Sequence, residues 1–365
     1  MQLTINTQEL QDMVSKASKC VSNNKLIPLT SLMSIKVVSN ILTLTTTDAT
    51  NYFQVSKLDK IDCEDFEVSV LADTFTKLVQ KTTSDTITLT VDNAILKVKG
   101  NGTYTIELPL DENGSVIKFP NKIPESLIEA GTIKLSTVKT ILSANKASLA
   151  LNVEVPSLTC YYCADSVVTS DRYKVCSTNV KTFGEPRLIT ANLMELLGIL
   201  SKEDISVLYS EAHNCLVFET DLESVYAPIT DGVDTFPITA INSLISQEFS
   251  SSCKVSKSAV LNLLDRLSLF VSPYDKKGIY LTFTQEGIAF SSKKSSGTEI
   301  VPYISSTSFA PYTCCIDIEM LKSQIATQDT DDLELYYGSE IAIKLVNKNI
   351  TQLVALIEDD RAEVE

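Results

Sequence analysis

Val68-Ser-Val-Leu-Ala-Asp73-Thr-Phe75-Thr-Lys-Leu78-Val79, followed by Thr86-Ile-Thr-Leu-Thr-Val91, Ile95-Leu-Lys-Val-Lys99 and Tyr104-Thr-Ile106, holds one complete structural unit. Apolar side chains at every second position predict strands with one buried face, and the stripe Phe75, Leu78, Val79 predicts a short amphipathic helix. Asp73, at the junction, reads as a capping residue that accepts hydrogen bonds from the free N–H groups of the first helical turn. The unit is therefore a strand, a helix and three more strands.

The same entry recurs along the chain. Leu3-Thr-Ile5 leads into Thr7, Ile133-Lys-Leu135 into Ser136, Leu188-Ile189 into Thr190, Cys253-Lys-Val255 into Ser256, and Cys315-Ile316 into Asp317. From Thr7 to Asp317 the spacing averages 62 residues, and about three strand-like segments follow each helix. A period this long exceeds that of solenoid repeats, and each unit is large enough for half a small domain. An α+β chain of three similar domains follows, each built from two β-α-β-β-β halves, over residues 1–124, 125–247 and 248–365. Turn residues and charge accumulate at the two joins, near Lys122-Ile-Pro-Glu-Ser126 and between Ser243 and Ser251.

Composition narrows the function. The 365 residues are 44% hydrophobic and 21% charged, as in globular domains. No run of eighteen uncharged apolar residues and no secretory pattern at the start are evident, so a cytoplasmic protein is expected. Nine cysteines, an odd number, argue for a reducing compartment rather than a disulfide framework. A single histidine, His213, rules out a multi-histidine metal site. Cys160-Tyr-Tyr-Cys163 has redox or metal spacing, but in a strand residues three apart point to opposite faces. Asp329, Asp331, Asp332 and Glu334 could hold Mg²⁺ or simply form a solvated loop. No phosphate-binding loop or zinc-protease motif occurs, so no cofactor and no catalytic residue are expected.

Charge is distributed unevenly. The net charge is −15, which disfavours indiscriminate adhesion to nucleic acid. Yet the six helical segments carry ten basic and six acidic residues, leaving a net −19 elsewhere. Helices presented to a polyanion would account for this split, as would lysines on solvated helix faces.

The joint register of several short motifs resembles the bacterial DNA polymerase III beta subunit family, the sliding clamps. They are Leu26-Ile-Pro-Leu-Thr-Ser-Leu32, Leu42-Thr-Leu-Thr-Thr-Thr-Asp48, Val168-Thr-Ser-Asp-Arg-Tyr-Lys-Val175, Asp231-Gly232 with Phe236-Pro237, and Val271-Ser-Pro-Tyr-Asp-Lys-Lys-Gly-Ile-Tyr-Leu281. The resemblance implies a non-enzymatic homodimeric ring that encircles duplex DNA without reading sequence and tethers the replicative polymerase. A metal-dependent DNA-processing enzyme and a monomeric clamp-like interaction module are the competing readings.

Residue by residue, the resemblance implies a cleft for short peptides of the polymerase and clamp loader at Val155, Ser170, Arg172, Tyr173, Lys174, Val175, Pro237, Leu353, Val354, Leu356 and Ile357. It implies a DNA-facing set of Lys16, Lys19, Lys25, Lys77, Lys81, Lys139, Lys146, Lys202, Lys257 and Lys322. Tyr104 and Ile106 of one copy would meet Phe270 and Val271 of the other. Arg172 stands where the family usually has a small residue, Leu356 where proline is common, and Glu358 where a basic residue often ends the chain. The additional Asp359-Asp-Arg-Ala-Glu-Val-Glu365 would set an acidic tail beside the cleft and weaken acidic peptides there.

Overall fold

The structure, a computed structural model, describes residues 1–57, 61–120, 126–152, 154–271, 277–293, 297–306 and 311–358. The acidic tail 359–365, the join at 121–125 and residues 272–276 of the last motif lie outside the described residues. Six copies of the predicted unit follow one another. They are β1 (Gln2–Asn6), α1 (Thr7–Ala17), β2 (Leu32–Val38), β3 (Ile41–Thr47), β4 (Tyr52–Ser56); then β5 (Phe66–Leu71), α2 (Ala72–Gln80), β6 (Thr86–Asp92), β7 (Ile95–Lys99), β8 (Thr103–Glu107). The third and fourth are β9 (Ile128–Lys134), α3 (Leu135–Asn145), β10 (Cys160–Cys163), β11 (Val167–Ser170), β12 (Lys174–Thr178), and β13 (Arg187–Thr190), α4 (Ala191–Gly198), β14 (Asp204–Ser210), β15 (Cys215–Glu219), β16 (Glu223–Pro228). A helix that the periodicity did not predict, α5 (Ile238–Ile245), comes next. The fifth is β17 (Ser251–Ser256), α6 (Lys257–Leu267), β18 (Gly278–Phe283), β19 (Gly287–Ser292), β20 (Thr298–Pro302) with a two-residue β21 (Ser305–Ser306). The sixth is β22 (Tyr312–Asp317), α7 (Ile318–Ala326), β23 (Asp332–Tyr337), β24 (Ala342–Asn347), β25 (Ile350–Ala355).

Ser256 and Asp317 act as the expected caps. Ser256 accepts from the Ala259 N–H, and Asp317 from those of Glu319 and Met320. At α1 the cap is Asn6, one residue before Thr7, and Thr7 instead donates to the Ser84 carbonyl. Asp73 lies inside the first turn of α2, whose cap position is Leu71, and pairs with Lys77 at 2.7 Å. Ser136 likewise lies inside α3 and donates to Glu203. The entering strand continues straight into the helix, so its last residue becomes the cap and the expected one moves into the first turn.

The chain separates into two compact units, residues 1–138 with 192–229, and residues 139–191 with 230–365. The first holds a four-stranded sheet in the order β1-β6-β7-β8 and an eight-stranded sheet β5-β2-β3-β4-β16-β15-β14-β9. Helices α1 and α2 pack together, and the Gln11 amide donates to the Val79, Gln80 and Thr82 carbonyls, closing the C-terminal end of α2. Glu223, fully buried, takes hydrogen bonds from Lys16, Ser201 and Thr220.

The second unit holds a nine-stranded sheet β13-β10-β11-β12-β25-β24-β23-β17-β21 and a four-stranded sheet β20-β19-β18-β22. Its main core lies between them, where Val260, Leu263, Leu264 and Leu267 of α6 meet Leu321 and Ile325 of α7. In both large sheets the last strand of one repeat pairs with the last strand of a distant one, β4 with β16 and β12 with β25. No helix among the described residues is long and apolar enough to cross a membrane.

Candidate functional site

The expected peptide cleft falls entirely within the second unit, on the seam between β12 and β25. Val175 lies opposite Leu353 and Lys174 opposite Val354. Val175 and Leu353 join Leu158, Cys160, Tyr162, Val168, Leu188, Phe236, Ile241 and Ala342 in one apolar cluster, separate from the core that α6 and α7 share. Val155, Ile238, Leu244, Ile245 and Phe249 border it, half-buried. Helix α5 supplies three of these residues, and the stacked rings of Tyr162 and Phe236, 4.9 Å apart, lie under its start at Pro237, which is exposed.

Strand alternation sorts the C-terminal residues. Val354 is fully buried in the opposite core with α6 and α7, and Leu356 packs against that core. These two expected lining residues therefore do not lie on the face that carries the Val175–Leu353 cluster. Leu353 does, and so does the neighbouring Ala355, whose N–H donates to the Tyr173 carbonyl at 2.8 Å. Ile357 donates its N–H to Cys315 at 3.0 Å.

The turn from β11 to β12 is held by Asp171, whose Oδ1 accepts from the N–H groups of Tyr173 and Lys174 at 3.0 and 2.7 Å. Ser170 Oγ accepts from the Arg172 N–H at 3.1 Å. Arg172 has φ = 80°, a left-handed conformation that glycine adopts without penalty. Its guanidinium reaches Glu154 at 3.4 Å, exposed at the rim. Lys174 points inward, with Nζ donating to the Ala147 carbonyl at 2.5 Å and lying 3.3 Å from Asp171. Tyr173 is 58% exposed. Sequence reasoning missed α5 and Lys344, which anchors it. Lys344 Nζ donates to the last α5 carbonyl, Ile245, at 3.0 Å and lies over the rings of Phe249 and Tyr336. Burial pushes the Lys344 ammonium below its ordinary pKa.

The ten expected DNA-facing lysines divide into two groups. Lys16 is bound to Glu223, Lys322 to Asp265, and Lys257 donates to the Ala326 and Gln328 carbonyls at the end of α7. Lys77 and Lys202 pair with Asp73 and Asp221 at the surface. Lys19, Lys25, Lys81, Lys139 and Lys146 are exposed.

Of the expected dimer contacts, Tyr104 is half exposed on β8, the outermost strand of its sheet, whereas Ile106 points into the core beneath it. Phe270 is half exposed, and Val271 packs partly against the α6–α7 core. β20, with Ile300 exposed, is the outermost strand of the other four-stranded sheet.

The features weighed as enzyme signals take structural places. Cys160 and Cys163 are buried on β10, and burial pushes both thiols up, which disfavours the reactive thiolate. Asp329 binds Asn347, while Asp332 and Glu334 are strand residues of β23, Glu334 accepting from Tyr336 at 2.8 Å.

Residues 1–113 match the family model described as the DNA polymerase III beta subunit, N-terminal domain. No curated protein matches the chain in sequence. Solved structures match along nearly all of it. The beta subunit of Borrelia burgdorferi superposes with a TM-score of 0.84 at 17% identity, covering 98% of this chain and 99% of that one. The beta chain of Streptococcus pneumoniae gives 0.85 at 13%, covering 98% and 100%. The beta subunit of Thermotoga maritima gives 0.83 at 15%, covering 98% and 99%. The amino-terminal 113 residues thus match the DNA polymerase III beta subunit in sequence, and the chain over its full length shares that subunit's fold.

Proposed function

We propose that this chain is a DNA sliding clamp: a non-catalytic processivity factor that closes with a second copy into a ring around duplex DNA and holds the replicative polymerase there. The observation that carries this reading is the β-α-β-β-β unit, found six times among the described residues in a chain that superposes on a beta subunit over 98% of its length. Pairing the repeats gives three domains, 1–124, 125–247 and 248–365. Ring closure would use the free edges β8 and β20, with Tyr104 on one copy and Phe270 and Ile300 on the other. Exposed strand edges offer unpaired backbone groups to another chain.

Inside such a ring, the exposed Lys19, Lys25, Lys81 and Lys139 would meet phosphates, against an acidic remainder that repels DNA. The apolar seam of β12 and β25, roofed by α5 and rimmed by Arg172 and Glu154, would take a short peptide with apolar anchors from the polymerase or clamp loader.

The test is topological. Protein loaded on nicked circular DNA is expected to stay bound through moderate salt, which weakens direct phosphate contacts by counterion release, and to leave when the circle is linearised. Equal loss from circle and linear DNA would refute encirclement. Mg²⁺-dependent cleavage of the DNA in the same assay would favour the enzyme reading.

A further inference from the structure

The turn that frames the peptide cleft has a twin in the first unit. Asp48 Oδ1 accepts from the N–H groups of Thr50 and Asn51 at 2.9 and 2.6 Å, as Asp171 does from Tyr173 and Lys174. Ala49 has φ = 85°, matching 80° at Arg172. The strand leaving each turn then pairs with the closing strand of another repeat. Tyr52 lies opposite Tyr226 on β4 and β16, where Val175 lies opposite Leu353 on β12 and β25. Each seam also bears an apolar cluster, here Cys215, Val217 and Tyr226 bordered by Tyr52, Leu127 and Leu208.

The two seams differ in what stands over them. The β12–β25 cluster is roofed by Phe236 and α5. At the β4–β16 seam a cavity of about 410 Å³ is open instead, bounded by Ala49, Thr50, Tyr52, His213, Cys215 and Tyr226 among others. This falls within the range of small-ligand pockets. No Asp, Glu, Lys or Arg is among the described residues that line it. Burial pushes the Tyr52 and Tyr226 hydroxyls above their ordinary pKa, so both stay neutral, and Tyr226 donates to Gln54 at 3.3 Å. Two cross-strand aromatic rings thus line the cavity.

We propose that this cavity is a second peptide-binding site, selective for a short uncharged segment that inserts one bulky apolar side chain over Tyr52 and Tyr226. A peptide is assigned as the ligand because the site repeats the frame of the β12–β25 cleft, so that part rests on the reading of the cleft. The cavity lacks the charged rim formed there by Arg172 and Glu154, so nothing among its described lining residues would compensate a charged side chain.

The full-length protein, photolysed with acetyl-Ala-photoleucine-Ala-Phe-amide and mapped by mass spectrometry, separates the two readings. Labels are expected at 49–52 and 213–228 as well as at 155–175 and 350–357. Thr50→Trp and His213→Trp, both at exposed turn positions, are expected to remove the first set and spare the second. Labelling confined to the cleft, labelling at neither place, or first-site labels that persist in both tryptophan variants would overturn the second site. Labels confined to 49–52 and 213–228, lost in those variants, would uphold it and overturn the cleft.

Discussion

Lys16 and Glu223 show what a charge count along a chain leaves unread. On a helix with other lysines, Lys16 reads as one more phosphate contact, but its partner is a carboxylate with no solvent exposure. Burial alone pushes the Glu223 carboxyl up, while the bonds from Lys16, Ser201 and Thr220 outweigh this and leave it below the usual range. A carboxylate lowered in the folded state contributes stability above its unfolded pKa of about 4.3, lost as pH falls through the folded value. The melting-temperature advantage of the native protein over Glu223→Gln is therefore expected to be full at neutral pH and to vanish in acid. Lys16→Met, which orphans a buried charge, is expected to cost about 3–5 kcal/mol in denaturant titrations. Its effect on DNA retention is expected to be small beside that of Lys25→Glu. The left-handed turn positions carry the opposite sign. Ala49→Gly and Arg172→Gly each relieve a backbone penalty of about 1–2 kcal/mol, less the entropy glycine adds to the unfolded chain. Both are expected to raise stability slightly, and Arg172→Gly alone to alter the charge preference of the β12–β25 cleft.

Helices and strands were legible in proportion to how local their signals are. The six stripes gave six helices, since spacing along one helix needs no distant partner. Helix α5 was not legible. Ile238-Thr-Ala-Ile-Asn-Ser-Leu-Ile245 has β-branched residues and no charge, and follows a proline, so it reads equally as strand or connection. What holds it is Lys344 from β24, far away in sequence, capping its last turn. Lys344→Met is expected to increase amide exchange over 238–249 and to weaken peptide binding at the cleft, leaving exchange in α6 unchanged. Cap positions were legible to within one or two residues, as at Asn6 and Thr7. Asn6→Ala, Ser256→Ala and Asp317→Ala are each expected to cost about 1 kcal/mol by thermal denaturation.

The pairing of β4 with β16 and of β12 with β25 left no trace in local pattern, because register between strands of different repeats is set only when both sheets are assembled. The proposed cleft therefore rests on resemblance alone, and Val354 and Leu356 were assigned to it because strand alternation had not yet been fixed by a partner. The edge strands make a prediction about assembly. Ile106 is a poor probe, since its side chain fills the core and a charge there would unfold the sheet. Tyr104→Asp with Phe270→Asp, both at exposed positions, is expected to give folded protein of half the native mass by light scattering. An unchanged dimeric mass would exclude these edges as the closing contact.

The β12–β25 ladder has a mechanical consequence. Five residue pairs from Lys174–Val354 to Thr178–Ile350 join strands on either side of the connecting stretch 246–250. The covalent connection thus bears little of any load between them. A chain cut in that stretch is expected to stay together through gel filtration, the severed pieces held by hydrogen bonds that must break together rather than one at a time.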